Sequence, residues 1–253
     1  VIFRNLNKSI NGEECLLILE KIIFFLSKKN IKNIVIASKN SICWPLWYIA
    51  ADGLCEKIYI INPEVQKKSL LKIIKQNNID YVLENPEIVF NFSLKKDHLL
   101  HVLKKIDPKL RSDILFTSGT TDLPKGVVIN ESAFNHVAKI LIKKFKHSES
   151  DNELLSMPFY HSFGLTRLRS VLLSNSSAII VDGLKKFPEI YTLSKEIKIT
   201  GLSLVPSGIL VIKNLLRKKI SEFSKNIKYF EIGSSSIDKE TRIWLKHNFQ
   251  ETI

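Results

Sequence analysis

Apolar positions along the chain change period repeatedly, and each change marks an element. Between residues 13 and 29 they fall at Leu16, Leu19, Ile22, Ile23 and Leu26. That spacing predicts a helix with one face turned inward. Lys28 and Lys29 close it where cations suit the helix dipole. Ile34 to Ala37 is a short unbroken apolar run, the mark of a buried strand. Ser41 is placed to cap a helix over 42–52, with Gly53 near its end. A strand over Lys57–Ile61 stops at Asn62-Pro63, and a helix over 65–76 leads to a strand over Asp80–Leu83. A strand at Ile88–Phe90 and a helix over 95–105 follow. Trp44, Trp47 and Tyr48 read as core residues.

The second half repeats this alternation. A strand opens at Asp113, and a helix begins at Asn130 or Ser132 and runs to about Lys146. Strands are expected over Glu153–Ser156, 178–181, 202–205 and Tyr229–Ile232. Helices are expected over 165–173, 187–197, 207–217, 219–225 and 238–248. Short apolar strands between longer amphipathic helices predict an α/β fold, with a layered, mostly parallel sheet and helices on both faces. No internal repeat, linker or break in composition divides the chain, so one α/β domain over 1–253 is expected.

One polar stretch interrupts the pattern: Thr117-Ser118-Gly119-Thr120-Thr121-Asp122-Leu123-Pro124-Lys125-Gly126, between the apolar runs 114–116 and 127–129. Its glycines let a backbone approach an anion closely, its hydroxyls can donate to phosphate oxygens, and Lys125 adds a mobile charge. It is not a Walker A loop, which places glycine before the lysine and a hydroxyl after it. Here Pro124 precedes Lys125 and Gly126 follows. The same composition also suits a plain polar hairpin loop between two strands.

Composition narrows the classes of function only a little. The chain has 253 residues, enough to bury a sizeable core, and a formal charge of +13. The surplus is mostly lysine spread through expected helices, which reads as a solvated surface and not a nucleic-acid face. Cys15, Cys43 and Cys55 sit in apolar contexts without metal-ligand spacing. They read as buried thiols of a reducing compartment, so a cytoplasmic location is expected. The longest apolar run, 42–51, is too short to span a bilayer, and no signal peptide is visible. The G-x-S-x-G turn of serine hydrolases does not occur.

The polar stretch resembles the phosphate-binding signature of the adenylate-forming superfamily, which includes acyl-CoA synthetases, aryl-acid ligases and peptide-synthetase adenylation domains. That pattern runs T-S-G-S/T-T-G-x-P-K-G-V, and Asp122 is the departure from it. Asn40-Ser41, Trp47, Ala50, Gly53 and the 58–63 segment are similar to further passages of the family. Pro158, His161 and Gly164 are similar to its P-x-x-H-x-x-G passage beside the acyl pocket. Gly233-Ser234-Ser235-Ser236-Ile237 is similar to its G-G-A/S-x-L loop against the adenine, with Ser234 in place of the second glycine. Ser207 and Gly208 match a helix start that lines the acyl pocket. From the residues alone, Ser236 is also a candidate helix cap, and Asp113 a polar cap of a loop.

The resemblance implies an enzyme that joins a carboxylic acid to ATP as an acyl-adenylate. Thioester formation with coenzyme A or a carrier thiol is a candidate second step. Lys125 and His161 would be its catalytic groups. Thr117, Ser118, Gly119, Thr120, Thr121, Lys125, Gly126, Gly233, Ser234 and Ser235 would hold the nucleotide, with magnesium carried on the phosphates and no protein metal site assigned. The resemblance covers roughly 30–250, the front part of the family's large N-terminal domain. The family's Y-G-x-T-E passage, ribose aspartate and C-terminal lysine domain are not matched. A missing C-terminal part or a complementary chain is therefore an expected partner, beside the small carboxylate substrate. No nucleic acid or membrane partner is expected. The alternative is a nucleotide- or adenylate-binding module of weak or no turnover.

Overall fold

The computed structural model describes residues 1–92, 112–117 and 124–249. Among them, eleven strands run in the order β1 (Phe3–Arg4), β2 (Ser9–Ile10), β3 (Asn33–Ile36), β4 (Lys57–Ile60), β5 (Tyr81–Leu83), β6 (Ser112–Phe116), β7 (Gly126–Asn130), β8 (Asn152–Leu155), β9 (Ser177–Ile180), β10 (Gly201–Leu204) and β11 (Tyr229–Ile232). Helices alternate with most of them, as the sequence periods predict. The fold divides into two compact units. One holds Val1–Ser9 with His136–Ile253, the other Ile10–Asn135, and the division falls inside the helix Glu131–Phe145.

The Ile10–Asn135 unit is built on a five-stranded sheet of order β5-β3-β4-β6-β7. The first four strands are parallel, and β7 pairs antiparallel to β6, Ser112 facing Asn130 and Phe116 facing Gly126. Helix Gly12–Lys28 begins with a reciprocal cap. Asn11 Oδ1 accepts from the Glu14 amide at 3.0 Å, and Glu14 Oε2 accepts from the Asn11 amide at 2.8 Å. Its buried stripe is Cys15, Ile18, Ile22 and Leu26, while Leu16 is 61% exposed. The expected face was thus rotated by about one residue at its start. Trp44, Trp47 and Tyr48 are buried, as their aromatic character suggested. The indole N–H of Trp47 donates to the Pro86 carbonyl at 2.8 Å.

Four local expectations need correction in physical terms. Ser41 does not cap by its side chain. The next helix starts at Trp44 after Cys43, and Ser41 contributes its carbonyl to the Trp44 amide at 3.1 Å. The segment expected as a strand at 88–90 is a 3-10 helix, Pro86–Asn91, because Asn85 caps it and Pro86 presets its first turn. Asp113 caps no loop. It is buried in β6 and accepts from the Tyr48 hydroxyl at 2.5 Å. Ser236 leaves the last helix to Asp238, whose side chain accepts from the Thr241 amide and hydroxyl, both at 2.7 Å. The helix expected at 95–105 lies outside the described residues.

The other unit carries a six-stranded sheet of order β11-β10-β8-β9-β1-β2, with β11, β10, β8, β9 and β1 all parallel. Leu154, Ile179, Leu202 and Phe230 of the sheet pack with Phe187, Ile209, Ile212 and Leu245 of the helices in one apolar cluster. Each such side chain contributes roughly 1.5–3 kcal/mol by leaving water. Ionic groups are also buried in this unit. Arg167, on helix Ser162–Leu173, is wholly buried and meets Glu153 of β8 in two parallel bonds, Nε to Oε1 at 2.7 Å and Nη2 to Oε2 at 2.6 Å. The Tyr229 hydroxyl donates to Glu153 Oε2 at 2.7 Å, and its ring stacks on Phe145 at 4.4 Å. Gly201 makes room for that phenol, since a Cβ there would lie 2.0 Å from the hydroxyl.

His147 closes the cluster, with Nε2 3.0 Å from Arg167 Nη2. Arginine can only donate, so this nitrogen accepts and the ring is neutral. Burial accordingly holds His147 below the usual histidine range. A folded-state value below the unfolded one means that the unfolded chain takes up more protons. Its contribution is present above the ordinary histidine range and is lost as pH falls through it. The melting temperature is therefore expected to drop between pH 7.5 and 5.5, and His147→Gln to flatten that slope. Glu153→Ala leaves Arg167 buried without its main partner and should cost about 3–5 kcal/mol in a denaturant titration. Glu56→Ala, removing the exposed pair with Lys32, should cost under about 1 kcal/mol. Equal losses would show that the buried pair has no special weight.

Candidate functional site

Two of the segments singled out in the sequence meet in the six-stranded unit. The first is Met157-Pro158 through Gly164, between β8 and its following helix. The His161 amide donates to the Pro158 carbonyl at 3.1 Å, and His161 is the residue before the helix. Gly164 falls in the first turn, where it lies against the preceding loop. A Cβ on it would be 2.2 Å from the Pro158 carbonyl oxygen, which has no room to move away. The spacing of proline, histidine and glycine is thus a steric requirement, because the loop folds back over its own helix start.

The second segment follows β11. The Gly233 amide donates to the Leu204 carbonyl at 3.1 Å, and a Cβ on Gly233 would come within 2.9 Å of the Phe163 ring. Phe163 belongs to the first segment, so a glycine contact brings the two together. Ser234 takes φ +79°, a conformation that glycine adopts freely and serine does not. Both segments open onto a cavity of about 770 Å³, lined by Met157, His161, Phe163, Thr166, Glu231 and Ser234 among others. A second cavity of about 450 Å³ is also lined by Met157 and Pro158, together with Ser207, Gly208, Gly183 and Leu184.

His161 is exposed and its ring lies 4.7 Å from the Tyr160 ring. Partial burial holds its pKa below the ordinary 6.5. The ring is therefore neutral near pH 7 and can donate from one nitrogen while accepting at the other. The buried arginine lies one helical turn beyond Gly164, and its Nη1 is 3.5 Å from Glu231 at the cavity wall. Arg167, Glu153, Tyr229 and Glu231 were not singled out from the sequence. The available signal was a charged residue within otherwise apolar runs, Glu153 in β8 and Arg167 between Leu165 and Leu168.

The polar loop belongs to the five-stranded unit. β6 and β7 form a hairpin around it, so the hairpin reading of the sequence is right about its frame. The Thr117 amide donates to the Lys125 carbonyl at 3.0 Å, closing the loop at its base. Lys125 is exposed. Gly126 is held close to its neighbours, a Cβ there falling 2.8 Å from Ile114. Ser118, Gly119, Thr120 and Thr121 lie outside the described residues. Among the described residues, no group of three or more His, Cys, Asp or Glu is arranged to hold a metal, and no helix is long and apolar enough to cross a membrane. All three cysteines are free and buried, with the Cys55 thiol pushed up to about 12 by burial and, secondarily, by Asp80.

The family of AMP-binding enzymes matches residues 26–253. The chain belongs to that family. Among curated relatives, the 2-succinylbenzoate–CoA ligase of Haemophilus influenzae is 26% identical over 232 residues, which are 90% of this chain and 48% of that ligase. The chain thus spans about half the length of that AMP-binding enzyme. Among solved structures, the o-succinylbenzoate CoA synthetase of Bacillus subtilis, in complex with its acyl-adenylate intermediate, matches at a TM-score of 0.80 and 13% identity. That match covers 98% of this chain and 54% of that one. The N-terminal domain of FACL13 from Mycobacterium tuberculosis matches at 0.77 and 16%, over 98% and 70%. These likenesses are of fold. They bear out the mostly parallel, helix-flanked architecture and the N-terminal region of the family that the motifs implied.

Two measurements test the local geometry. Gly164→Ala should destabilise by about 1–3 kcal/mol, since the added methyl meets backbone. A denaturant midpoint unchanged from the parent would contradict the fold-back of the loop. An NMR titration of the His161 ring should give a midpoint below 6.5. A midpoint above that value would show that the ring is held charged.

Proposed function

We propose that the protein activates a carboxylic acid with ATP, forming an acyl-adenylate and releasing pyrophosphate, with a thiol acceptor such as coenzyme A taking the acyl group afterwards. The observation that carries this reading is the single cavity onto which His161 and the Gly233-Ser234 loop both open, in a chain of the AMP-binding family. Membership in the family supports this class of reaction, and the cavity supports a location for it.

The residues present fit a nucleotide and an acid. The Gly233-Ser234-Ser235 loop, with its left-handed turn at Ser234, would lie against the purine, as the resemblance of its motif implies. The neutral His161 ring can donate to a phosphate or carboxylate oxygen without adding a fixed charge. Lys125 and Gly126, with Thr117 at the base of the loop in the other unit, are read as phosphate-binding residues from the resemblance of their motif. Magnesium carried with the nucleotide would offset the charge of its phosphates. The acid's oxygen attacks the α-phosphorus, and the protein's share is alignment and charge, with no covalent nucleophile of its own. The apolar wall of the cavity, Met157, Phe163 and Val205 among it, suits the acid's carbon skeleton and excludes water.

A second reading is that the chain binds the nucleotide or adenylate without turnover. Ser234 favours it, because a side chain stands where the family pattern has glycine and a close backbone approach. Calorimetry with Mg-ATP and pyrophosphate exchange across a panel of carboxylic acids separate the two. Binding that falls at least about tenfold in Lys125→Ala, as the loss of a charge-assisted contact predicts, together with acid-dependent exchange, supports the ligase. Binding without exchange for any acid supports the second reading. No binding at all contradicts both.

A further inference from the structure

The cavity beside His161 has one charged residue among the described residues that line it, Glu231. Its surroundings are unbalanced. Arg167 is the cation nearest it in the buried cluster, and its Nε and Nη2 are engaged elsewhere, with Glu153, the Tyr229 hydroxyl at 2.8 Å and His147 Nε2 at 3.0 Å. Its third nitrogen, Nη1, makes no hydrogen bond and stands 3.5 Å from Glu231 Oε2. The same Glu231 oxygen accepts from the Ser203 hydroxyl at 3.0 Å. His147 is neutral, and Tyr229 is turned to Glu153. Two carboxylates therefore share one guanidinium, and one oxygen of Glu231, Oε1, has no hydrogen-bond partner among the described residues.

That carboxylate is poorly placed for water. Its side chain is only 16% exposed, and that exposure is to a cavity whose other walls are largely apolar. Burial pushes its pKa above the ordinary glutamate range, with Arg167, Ser203 and Lys144 opposing and Glu153 adding to the shift. A carboxylate so placed, sharing its guanidinium with Glu153, is stabilised in its ionised form by a further cation. A metal ion is a poor candidate, since no three metal-ligating side chains gather among the described residues. A lone carboxylate oxygen in an apolar wall suits a compact donor with a positive charge.

Resting on the reading of the cavity as the acid's place, we propose that the acid activated here carries a protonated amine, and that Glu231 Oε1 accepts its N–H. Glu231 is then a specificity-determining residue. A substrate without the amine leaves Glu231 with only Arg167 and Ser203 as partners, both at Oε2, and a site built around a polar partner discriminates strongly against the analogue that lacks it. Ser203 and Arg167 hold the carboxylate in place from behind, so its position does not depend on the ligand. Thr166 does not compete for the amine, because its hydroxyl is already donated to the Ser162 carbonyl at 2.7 Å.

Matched pairs of acyl-sulfamoyl adenosines test this by calorimetry on the protein: alanyl and β-alanyl against propionyl, and phenylalanyl against 3-phenylpropionyl. The amine-bearing member of at least one pair should bind roughly 100-fold more tightly than its partner. Glu231→Gln, which keeps the shape, should bring that ratio to within about threefold, and Glu231→Asp should keep part of it. The ratio within a pair is insensitive to a general loss of folding, which would weaken both members alike. Equal binding of every pair overturns the amine proposal and leaves the acyl-adenylate reading standing. A preference that survives Glu231→Gln overturns the assignment to this residue. Failure of all five analogues to bind overturns the underlying reading as well.

Discussion

Arg167 carries a permanent charge into the interior of the six-stranded unit, and much of the candidate site depends on how that charge is met. A buried guanidinium is stable only if its carboxylate partner and the remaining donors are satisfied together. Here the partner comes from β8, the arginine from the helix after it, and the supporting phenol from β11. Those same elements carry the loop with His161 and the loop with Gly233. The ion pair therefore fixes, from below, the separation of two segments that the sequence places far apart. Two glycines fix it from above, one against the Pro158 carbonyl and one against the Phe163 ring. A methyl group at either point would force backbone or an aromatic side chain to move.

The alternation of strands and helices was legible because buried parallel strands are short apolar runs and the helices between them are amphipathic. The motif residues were legible for a different reason, since each answers a local demand. Gly164 and Gly126 sit where a Cβ has no space, and the chain around them can be read without knowing its partners. The ionic cluster could not be placed in this way. Nothing in the local pattern says that Glu153 faces inward with Arg167, because their pairing is created by the packing of a helix over a sheet. The same holds for Asp113, whose burial against Tyr48 depends on the pairing of β4 with β6. The misphased first helix is smaller in kind. Leu16 and Leu17 are exposed while Cys15 is buried, so hydrophobicity alone did not fix the face. The 3-10 turn after Asn85 was missed because capping by asparagine and proline outweighed an apolar run.

Departures from the family pattern fall at contact loops. Ser234 adopts a backbone conformation that glycine would take without strain, so the fold preserves the turn while the side chain changes what can approach it. The charge at Glu231, two residues before Gly233, lies near the end of β11.

The central claim is that one ligand engages the His161 loop and the Gly233 loop at once, in a cavity held open by the buried pair. Hydrogen–deuterium exchange with and without an aminoacyl-sulfamoyl adenosine tests it directly. Amides in 159–164 and 233–236 are expected to slow together at the same ligand concentration, while those of helix Phe187–Glu196 do not change. Protection confined to one loop, or spread evenly over the unit, would contradict it.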